Sequence, residues 1–392
     1  MRVALVILNA DARRGGAERY TLNLARSFWD RGIEVSLICI DAAEPLAGCR
    51  LITFPCRGIR TQRYLAFCRE LHRHLQSTSY DIVHAALPVP QCDVYHPHAG
   101  LAWAAWQERW REYPRGWQWW GWCCRWTQLR RWAQARIEKQ LLSQPSPPVV
   151  LCLSQLVEQK LLQYYSLAPQ DWVVLTNGVD TNWFHPTRHA AAGQAQRVAW
   201  GCSTSDRVAL LMAHDFARKG VRQAIAALAH LTDPRWKLVV VGKARSEPWQ
   251  RWAQVWHVEH RVIFAGATQH PETCYAAADL LLLPTPYDSC SLVVLEALAM
   301  HKPVITTVTN GAADVMVSGK HGWVLQHHAN ILELACAWNK LADDATRLKM
   351  SAACGELRPR LSWETHVEQL LALYRQIQER RRLRGSTLSW AA

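Results

Sequence analysis

Two carboxylates, Asp288 and Glu296, are separated by seven residues near the start of a predicted helix. The N-terminus of a helix presents unpaired N–H groups and the positive end of the helix dipole, which together favour phosphate. Carboxylates accept hydrogen bonds from hydroxyl groups. Two carboxylates beside an anion site therefore indicate a ligand with both hydroxyls and phosphates, such as a nucleotide-sugar. An acid at this position can also act only as a helix cap, and this stretch alone leaves both interpretations open.

A strand and a helix must position these carboxylates. The four leucines of Leu280–Leu283 predict a strand that is buried on both faces of a parallel sheet. Pro284 ends this strand, and Ser289 or Ser291 then offers an N-cap for a helix that runs to about Met300. In α/β sheets, ligands bind outside the carboxyl ends of the strands, which is where this turn is expected to lie.

Two cations, Arg218 and Lys219, stand before another predicted helix, which runs from Val221 to Leu231. At the same edge of a sheet, these side chains could neutralise a leaving diphosphate. An isolated Arg-Lys pair is more often typical of a solvated surface, so the pair alone does not decide the function.

A glycine pair, Gly15 and Gly16, separates a predicted buried strand over residues 3 to 8 from a predicted helix. Glycine allows a positive φ and a close approach of the backbone to a ligand at a helix N-terminus. The pair does not form the GxGxxG fingerprint, and a Gly-Gly turn by itself is more often structural.

Two histidines, His96 and His98, follow another short predicted strand, so they would face the same crevice of the sheet. A lone histidine at such a place is more often a polar core residue than a catalyst. Asp93, just before them, is expected to be structural.

Residues 101 to 140 are unusually rich in tryptophan and arginine, and the pattern predicts two short amphipathic helices. Tryptophan rings favour the headgroup level of a bilayer, and guanidinium groups bind lipid phosphate. We therefore interpret this segment as a contact with a membrane or a lipid-linked glycan. The alternatives are an aromatic core contact, an acceptor-binding wall, or a surface that stacks single-stranded nucleic acid. The candidate contact residues are Trp103, Trp106, Arg109, Trp110, Trp117, Trp119, Trp120, Trp122, Arg125 and Trp126.

The composition is that of a folded protein large enough for two domains, with 392 residues, 49% hydrophobic and 20% charged. The formal net charge of +13 implies an anionic partner, such as acidic lipid, phosphorylated glycan or nucleic acid. No apolar run reaches the roughly 18 residues that a transmembrane helix needs, and the apolar opening lacks a signal-peptide cleavage site. The thirteen cysteines have no metal-binding spacing and are expected to be reduced cytoplasmic thiols.

Several motifs together resemble the retaining GT-B glycosyltransferases of family 4. The Asp288-x7-Glu296 spacing is similar to their E-x7-E motif, with Asp in place of the first Glu. Residues 15 to 19 match their GGxE-type first loop, and Lys219-Gly220 matches their Lys-Gly pair. The stretch from 173 to 186 matches their "PNGVD…F.P" interdomain segment, with Thr in place of Pro. The resemblance covers nearly the whole chain.

The resemblance implies an α/β GT-B fold, in which two Rossmann-like domains with parallel sheets face a central cleft. An N-terminal acceptor-side domain is expected over residues 1–186, with the Trp/Arg-rich insertion at about 101–140. A nucleotide-sugar-binding domain is expected over residues 187–361. Residues 362–392 are then a returning helix and a basic tail, which pack on the first domain, and the tail could be a second basic membrane contact.

The resemblance also implies a role for each donor-binding residue. Asp288 would contact the hydroxyls of the donor sugar, and Glu296 would bind the ribose. Gly15 and Gly16 would lie over the donor diphosphate. The amides near Ser291 and Leu292 would meet that diphosphate as well.

Asp288 and three further residues receive catalytic roles from the resemblance. Arg218 and Lys219 would stabilise the departing diphosphate, with Arg218 supplying the charge of a family arginine that is His214 here. His98, rather than His96, occupies the place of a His or Asp that contacts the donor sugar in the family.

The chain is most similar to the lipopolysaccharide-core glucosyltransferases of the family. This implies transfer of a hexose, with glucose preferred, from a UDP-sugar to a lipid-linked or lipopolysaccharide-type glycan, with retention of anomeric configuration. Such an enzyme is peripheral on the cytoplasmic face of an anionic membrane, binds no nucleic acid and needs no cofactor or essential metal. A GT-B sugar-nucleotide epimerase, a membrane-bound pseudoenzyme and, on charge alone, a nucleic-acid-binding protein stay open. The acceptor, the linkage and the oligomeric state are not predicted.

Overall fold

The computed structural model describes residues 1–44, 46–108 and 128–389, with side chains as far as residue 383. The chain divides into two compact α/β units. The first comprises Met1–Leu175 together with Val367–Ala392, and the second comprises Thr176–His366.

The segments that join the units pack with the second unit, so the observed boundaries differ from those predicted at residues 186 and 361. Val179 pairs in parallel with Ser362. The His366 ring lies 2.8 Å from the carbonyl oxygen of Thr176, with its Nδ1 as the donor. These contacts hold both joining segments to the second unit.

A parallel sheet forms the centre of the first unit. Its strands β5-β3-β1-β6-β7-β8-β9 lie in that spatial order, and β2 pairs with β4 alone. The bounds of the strands are β1 Arg2–Val6, β2 Asn9–Ala10, β3 Glu34–Cys39, β4 Asp41–Ala42, β5 Arg50–Thr53, β6 Ile82–Ala85, β7 Val94–Tyr95, β8 Val149–Cys152 and β9 Trp172–Val174. The central strand β1 is buried from Val3 to Val6, because helices cover both faces of the sheet. These helices are α1 Gly16–Asp30, α2 Arg60–Ser77, α3 Ala102–Glu108, α4 Leu129–Leu142 and α5 Gln155–Tyr164, and a 3₁₀ turn spans Pro169–Asp171.

The second unit is also a parallel sheet, with the spatial order β12-β11-β10-β13-β14-β15. Its strands are β10 Arg207–Met212, β11 Trp236–Val241, β12 Val262–Gly266, β13 Leu280–Leu283, β14 Val304–Thr307 and β15 Gly322–Leu325. The strand order reverses between β10 and β13, and such a switch point is where α/β sheets bind ligands. The strand predicted from four leucines is β13, and all of its side chains are fully buried.

Helices surround the second sheet. They are α6 Ala190–Ala199, α7 Val221–Leu228, α8 Glu247–Val255, α9 Pro271–Ala277, α10 Leu292–Ala299, α11 Ile331–Lys340, α12 Asp344–Glu356 and α13 Arg358–Leu361, with 3₁₀ turns at Glu259–Arg261 and Gly311–Val315. Helix α7 ends at Leu228 rather than at the predicted Leu231, because the amides of residues 229 to 231 bond to carbonyls three positions back.

The last helix, α14 Trp363–Ser389, returns to the first unit as predicted. Its apolar face is buried there through Val367, Leu370, Tyr374 and Ile377. The helix therefore contributes to the core of the unit in which the chain began.

The basic end of α14 is partly committed to internal contacts. Arg380 donates to the carbonyl oxygen of Gln170 at 2.6 Å. Arg381 forms an ion pair with the buried carboxylate of Asp93. Both arginines thus fasten the helix to the first unit, and the second basic membrane contact stays a prediction. The side chain of Arg384 lies outside the described part of the chain.

Two predictions about the whole chain can be compared with the described residues. None of the helices in these ranges has both the length and the apolar character that crossing a bilayer requires. Every cysteine in these ranges is a free thiol.

Candidate functional site

The switch point of the second sheet brings together two predicted site residues. Lys219 lies in the loop after β10, and Asp288 lies in the loop after β13. The Nζ atom of Lys219 forms an ion pair with the Asp288 carboxylate, and the two side chains are only 13% and 15% exposed. A half-buried cation and a half-buried carboxylate thus meet at the carboxyl ends of the strands, where the sheet is expected to bind its ligand.

Gly220 allows the Lys219 loop to approach the β13 loop. It is the N-cap of α7 with φ 82°, a left-handed conformation that favours glycine. A Cβ atom at this position would lie 2.3 Å from the carbonyl oxygen of Pro284. The hydroxyl of Thr285 also donates to the carbonyl oxygen of Arg218 at 3.0 Å, which ties the two loops together. The side chain of Arg218 itself is exposed and does not join the Lys219–Asp288 pair.

The backbone of Asp288 is held by the loop that follows β14. Its N–H donates to the carbonyl oxygen of Thr309 at 3.0 Å, and its own carbonyl accepts from the N–H of Gly311 at 2.9 Å. The carboxylate is therefore presented from a fixed turn.

Asn310 is a further residue of the site. The sequence showed it only as part of an Asn-Gly pair after a strand and did not indicate its role. It is fully buried, and its Oδ1 accepts from the N–H of Ala312 at 3.2 Å and, at 3.4 Å, from that of Ser291. Its Nδ2 donates to Thr306 at 2.9 Å. Asn310 thus supports the start of α10 from the loop that follows β14.

The N-terminus of α10 lies where the sequence predicted it, but it lacks the predicted side-chain cap. Ser291 is the N-cap and Leu292 begins the helix, but the Ser291 side chain makes no capping hydrogen bond. The Ser291 hydroxyl therefore accepts no hydrogen bond from the first-turn amides, which the resemblance assigns to a diphosphate.

Glu296 lies on the buried face of α10, with 4% exposure. Its Oε2 accepts a hydrogen bond of 2.7 Å from the hydroxyl of Tyr275 in α9. The tyrosine holds the carboxylate in one orientation, a role that no local sequence signal indicated.

In the first unit, the glycine pair starts α1 without using a left-handed conformation. Gly15 is the N-cap with φ 173°, an extended backbone that any residue adopts, and the helix begins at Gly16. The pair therefore does not use the positive φ that glycine allows. A Cβ atom at Gly15 would lie 3.0 Å from Oε2 of Glu18, so the glycine leaves room for that acid at the helix start.

The two histidines after β7 differ in exposure. His96 is fully buried, and its Nδ1 lies 3.1 Å from Nε2 of His84. His98 is half-buried and stacks on His96 with ring centroids 3.8 Å apart. His98 is thus the more accessible of the two. It is also the histidine that the resemblance places at the donor sugar.

Asp93 is structural, as predicted. Its Oδ2 accepts from the N–H of Val83 at 2.7 Å, and its carboxylate also binds Arg381. Both contacts hold elements of the first unit together.

No group of three or more His, Cys, Asp or Glu side chains suited to a metal ion occurs among the residues described.

Two family models match the chain, one in each half. The model for Glycosyltransferase Family 4 matches residues 14–183, and the model for Glycosyl transferases group 1 matches residues 194–357. The first range contains Gly15, Gly16 and His98, and the second contains the Lys219–Asp288 pair and Glu296. The chain belongs to the GT-B glycosyltransferases.

The names of the relatives of this GT-B protein describe different activities. The D-inositol 3-phosphate glycosyltransferase of Corynebacterium glutamicum (strain R) is 26% identical over 227 residues, which are 55% of this chain and 54% of the relative. The lipopolysaccharide glucosyltransferase WaaG of Escherichia coli (strain K12) is 26% identical over 194 residues, 49% of this chain and 52% of the relative. The chain therefore spans about half the length of the curated relatives it matches.

Solved structures match the GT-B protein over nearly its whole length. A crystal structure of WaaG, a glycosyltransferase involved in lipopolysaccharide biosynthesis, has a TM-score of 0.79 at 21% identity and covers 94% of this chain and 98% of its own. The complex of Anabaena HepE with UDP-glucose has a TM-score of 0.72 at 17% identity, with coverage of 95% and 98%. These similarities establish the fold.

The Trp/Arg-rich segment of the GT-B protein starts inside the core. Trp106 is 5% exposed in α3. Trp103 packs against the hydrophobic core of the first unit, and the Nζ atom of Lys139 lies 4.4 Å from the centre of its ring. Both rings thus make the aromatic core contact that the sequence left open as an alternative, and the membrane contact of this segment stays a prediction. The other candidates lie outside the described residues: Arg109, Trp110, Trp117, Trp119, Trp120, Trp122, Arg125 and Trp126.

Glu138 of α4 anchors the start of α3, and sequence reasoning missed it because an acid in a helix usually faces solvent. The side chain is fully buried. Its carboxylate accepts from the N–H groups of Ala102 at 2.7 Å and Trp103 at 2.8 Å. The hydroxyls of Tyr95 and Tyr165 donate to it as well, at 2.5 Å and 3.0 Å. Burial raises the pKa of Glu138, and the four donors oppose that shift.

Proposed function

We propose that this protein transfers a hexose, with glucose as the first candidate, from a UDP-sugar to a glycan acceptor. The observation that carries the proposal is the half-buried Lys219–Asp288 pair at the switch point of the second sheet. The group 1 family match over residues 194–357 supports it. So do a relative named as a glucosyltransferase and a structural neighbour solved with UDP-glucose.

In this mechanism, the cation of Lys219 stabilises the charge that develops on the departing diphosphate. Asp288 accepts hydrogen bonds from the sugar hydroxyls while Lys219 turns towards phosphate. Glu296, held by Tyr275, accepts from the ribose hydroxyls. Arg218 is exposed beside this pair and adds a second cation to the diphosphate.

The remaining contacts follow the family pattern. Gly15, Gly16 and the first amides of α10 at Ser291 and Leu292 bind the diphosphate, since helix N-termini favour anions. His98 contacts the donor sugar. The donor phosphate takes the acceptor proton, the anomeric configuration is retained, and neither a metal nor another cofactor is required.

The donor is identified by measuring UDP release from a panel of UDP-sugars, with and without a lipid extract as acceptor and in the presence of EDTA. Lipid-dependent release from UDP-glucose alone would agree with the proposal. Conversion of the donor to a sugar isomer without an acceptor would indicate an epimerase. Absence of release from every donor would indicate a pseudoenzyme.

We propose a lipid-linked or lipopolysaccharide-type glycan as the acceptor, reached from the cytoplasmic face of the membrane. The net charge of +13 supports contact with an anionic surface. Flotation with vesicles of phosphatidylcholine, with and without phosphatidylglycerol, tests this contact. Binding that needs the anionic lipid and weakens with salt would support it, and equal binding to single-stranded DNA would contradict it.

A further inference from the structure

The first unit contains a buried cluster of two tyrosines and three histidines. Its members come from four parts of the chain: Tyr20 in α1, His84 in β6, His96 and His98 after β7, and Tyr374 in α14. All except His98 are at most 3% exposed. The returning helix, the first helix and the histidine loop therefore meet at one point.

Two hydrogen bonds form a chain through this cluster. The hydroxyl of Tyr374 lies 2.5 Å from Nδ1 of His84. On the other side of the same ring, Nε2 of His84 lies 3.1 Å from Nδ1 of His96. A neutral imidazole has one donor and one acceptor nitrogen, so the direction of one bond determines the direction of the next.

The tyrosine sets this direction. Burial raises the pKa of Tyr374 well above its usual value, so the phenol keeps its proton. Within the described part of the chain, His84 is the hydrogen-bond partner of that hydroxyl, and a buried hydroxyl is expected to donate its proton. Tyr374 therefore donates to Nδ1 of His84. His84 in turn carries its proton on Nε2 and donates to His96, which is left protonated on Nε2.

The last link of the chain is a stacked pair of rings. The rings of His96 and His98 are 3.8 Å apart and 33° from parallel. Tyr20 packs against both, at 5.1 Å from His96 and 4.7 Å from His98. The orientation of His96 therefore limits the orientation of His98.

We propose that Tyr374, His84 and His96 are positioning residues that fix the ring plane of His98. The inference rests on the proposed function, because it deepens the role given there to His98. By this inference the returning helix α14 helps to position the site. Its Tyr374 bonds to His84, which lies 290 positions away in the sequence.

Nitrogen NMR of the full-length protein labelled with ¹⁵N-histidine tests the hydrogen-bond chain without any need for activity. In the wild type, His84 and His96 should both be protonated on Nε2. Tyr374→Phe should shift the ring signals of His84, His96 and His98. Tyr64→Phe is the matched control, since it removes another buried hydroxyl of the same unit, which donates to the carbonyl oxygen of Pro88 at 2.7 Å. Unchanged His98 signals in Tyr374→Phe, or a wild-type His84 protonated on Nδ1, would overturn the inference.

Kinetics with UDP-glucose and lipid-extract vesicles test the consequence for the site. Tyr374→Phe should lower kcat roughly tenfold, the rate equivalent of one hydrogen bond, while KM for UDP-glucose changes by less than about twofold. Tyr64→Phe should retain the wild-type kcat within about twofold. Equal losses in both variants, or a loss confined to KM, would contradict a positioning role. If the wild type releases no UDP from any sugar nucleotide, the proposed function fails, and the NMR result still decides the positioning chain.

Discussion

At the scale of single residues, the ion pair of Lys219 and Asp288 carries the proposed mechanism. Because Lys219 stabilises charge on the leaving group in the proposed mechanism, Lys219→Ala should lower kcat by about 100-fold or more. Lys320→Ala is a matched control, since Lys320 also pairs with an acid, Glu356, but on an exposed surface. That control should retain activity. Initial rates of UDP release measure both, and unchanged turnover in Lys219→Ala would refute the assignment of Lys219.

Tyr275 is expected to act through Glu296. Tyr275→Phe removes the hydroxyl that orients the carboxylate, so the affinity for UDP should fall about tenfold, as expected for one lost hydrogen bond. Glu296→Ala should weaken UDP binding at least as much. Calorimetric titration with UDP measures both variants. If Tyr275→Phe binds UDP as tightly as the wild type, binding of the ribose does not depend on the orientation of the Glu296 carboxylate.

At the scale of elements, Glu138 holds the start of α3 through four hydrogen bonds. Glu138→Ala leaves these buried donors without their acceptor, which should cost about 3 kcal/mol or more of folding free energy. Glu158→Ala is the control, since Glu158 accepts one bond of 2.8 Å from Trp172 and its loss should cost about 1 kcal/mol. Urea unfolding followed by circular dichroism compares them, and equal midpoints would contradict the anchoring role.

His366 makes the stability of the second unit sensitive to acid. Burial lowers its pKa to about 4, whereas an unfolded histidine titrates near 6.5. The unfolded chain therefore binds the proton first, and the contribution of His366 to stability should fall as pH drops from about 6.5 to about 4. The full difference is on the order of 3 kcal/mol.

Comparison with His366→Phe isolates this effect, because the other buried histidines titrate in both proteins. The wild type should lose more stability than the variant between pH 7 and pH 5, measured by urea unfolding at each pH. Identical pH dependences would show that His366 does not carry the effect.

At the scale of the whole molecule, local patterns could be predicted and distant contacts could not. The strand β13 and the carboxylates after it follow from consecutive leucines, prolines and a short spacing. The ion pair of Lys219 joins residues 69 apart, and Glu138 meets Ala102 across 36 positions. Such pairings depend on how strands and helices pack. Sequence periodicity also cannot distinguish a buried tryptophan such as Trp106 from one that faces a membrane.

The most direct measurement follows UDP-glucose by ³¹P and ¹H NMR as the protein acts on lipid-extract acceptor in anionic vesicles with EDTA. Retaining glucosyl transfer should give UDP and a new glycoside in equal amounts, and the glycoside should keep the anomeric configuration of the donor. Inverted glycoside, free sugar isomer without glycoside, or no consumption of UDP-glucose would contradict the proposed retaining glucosyl transfer.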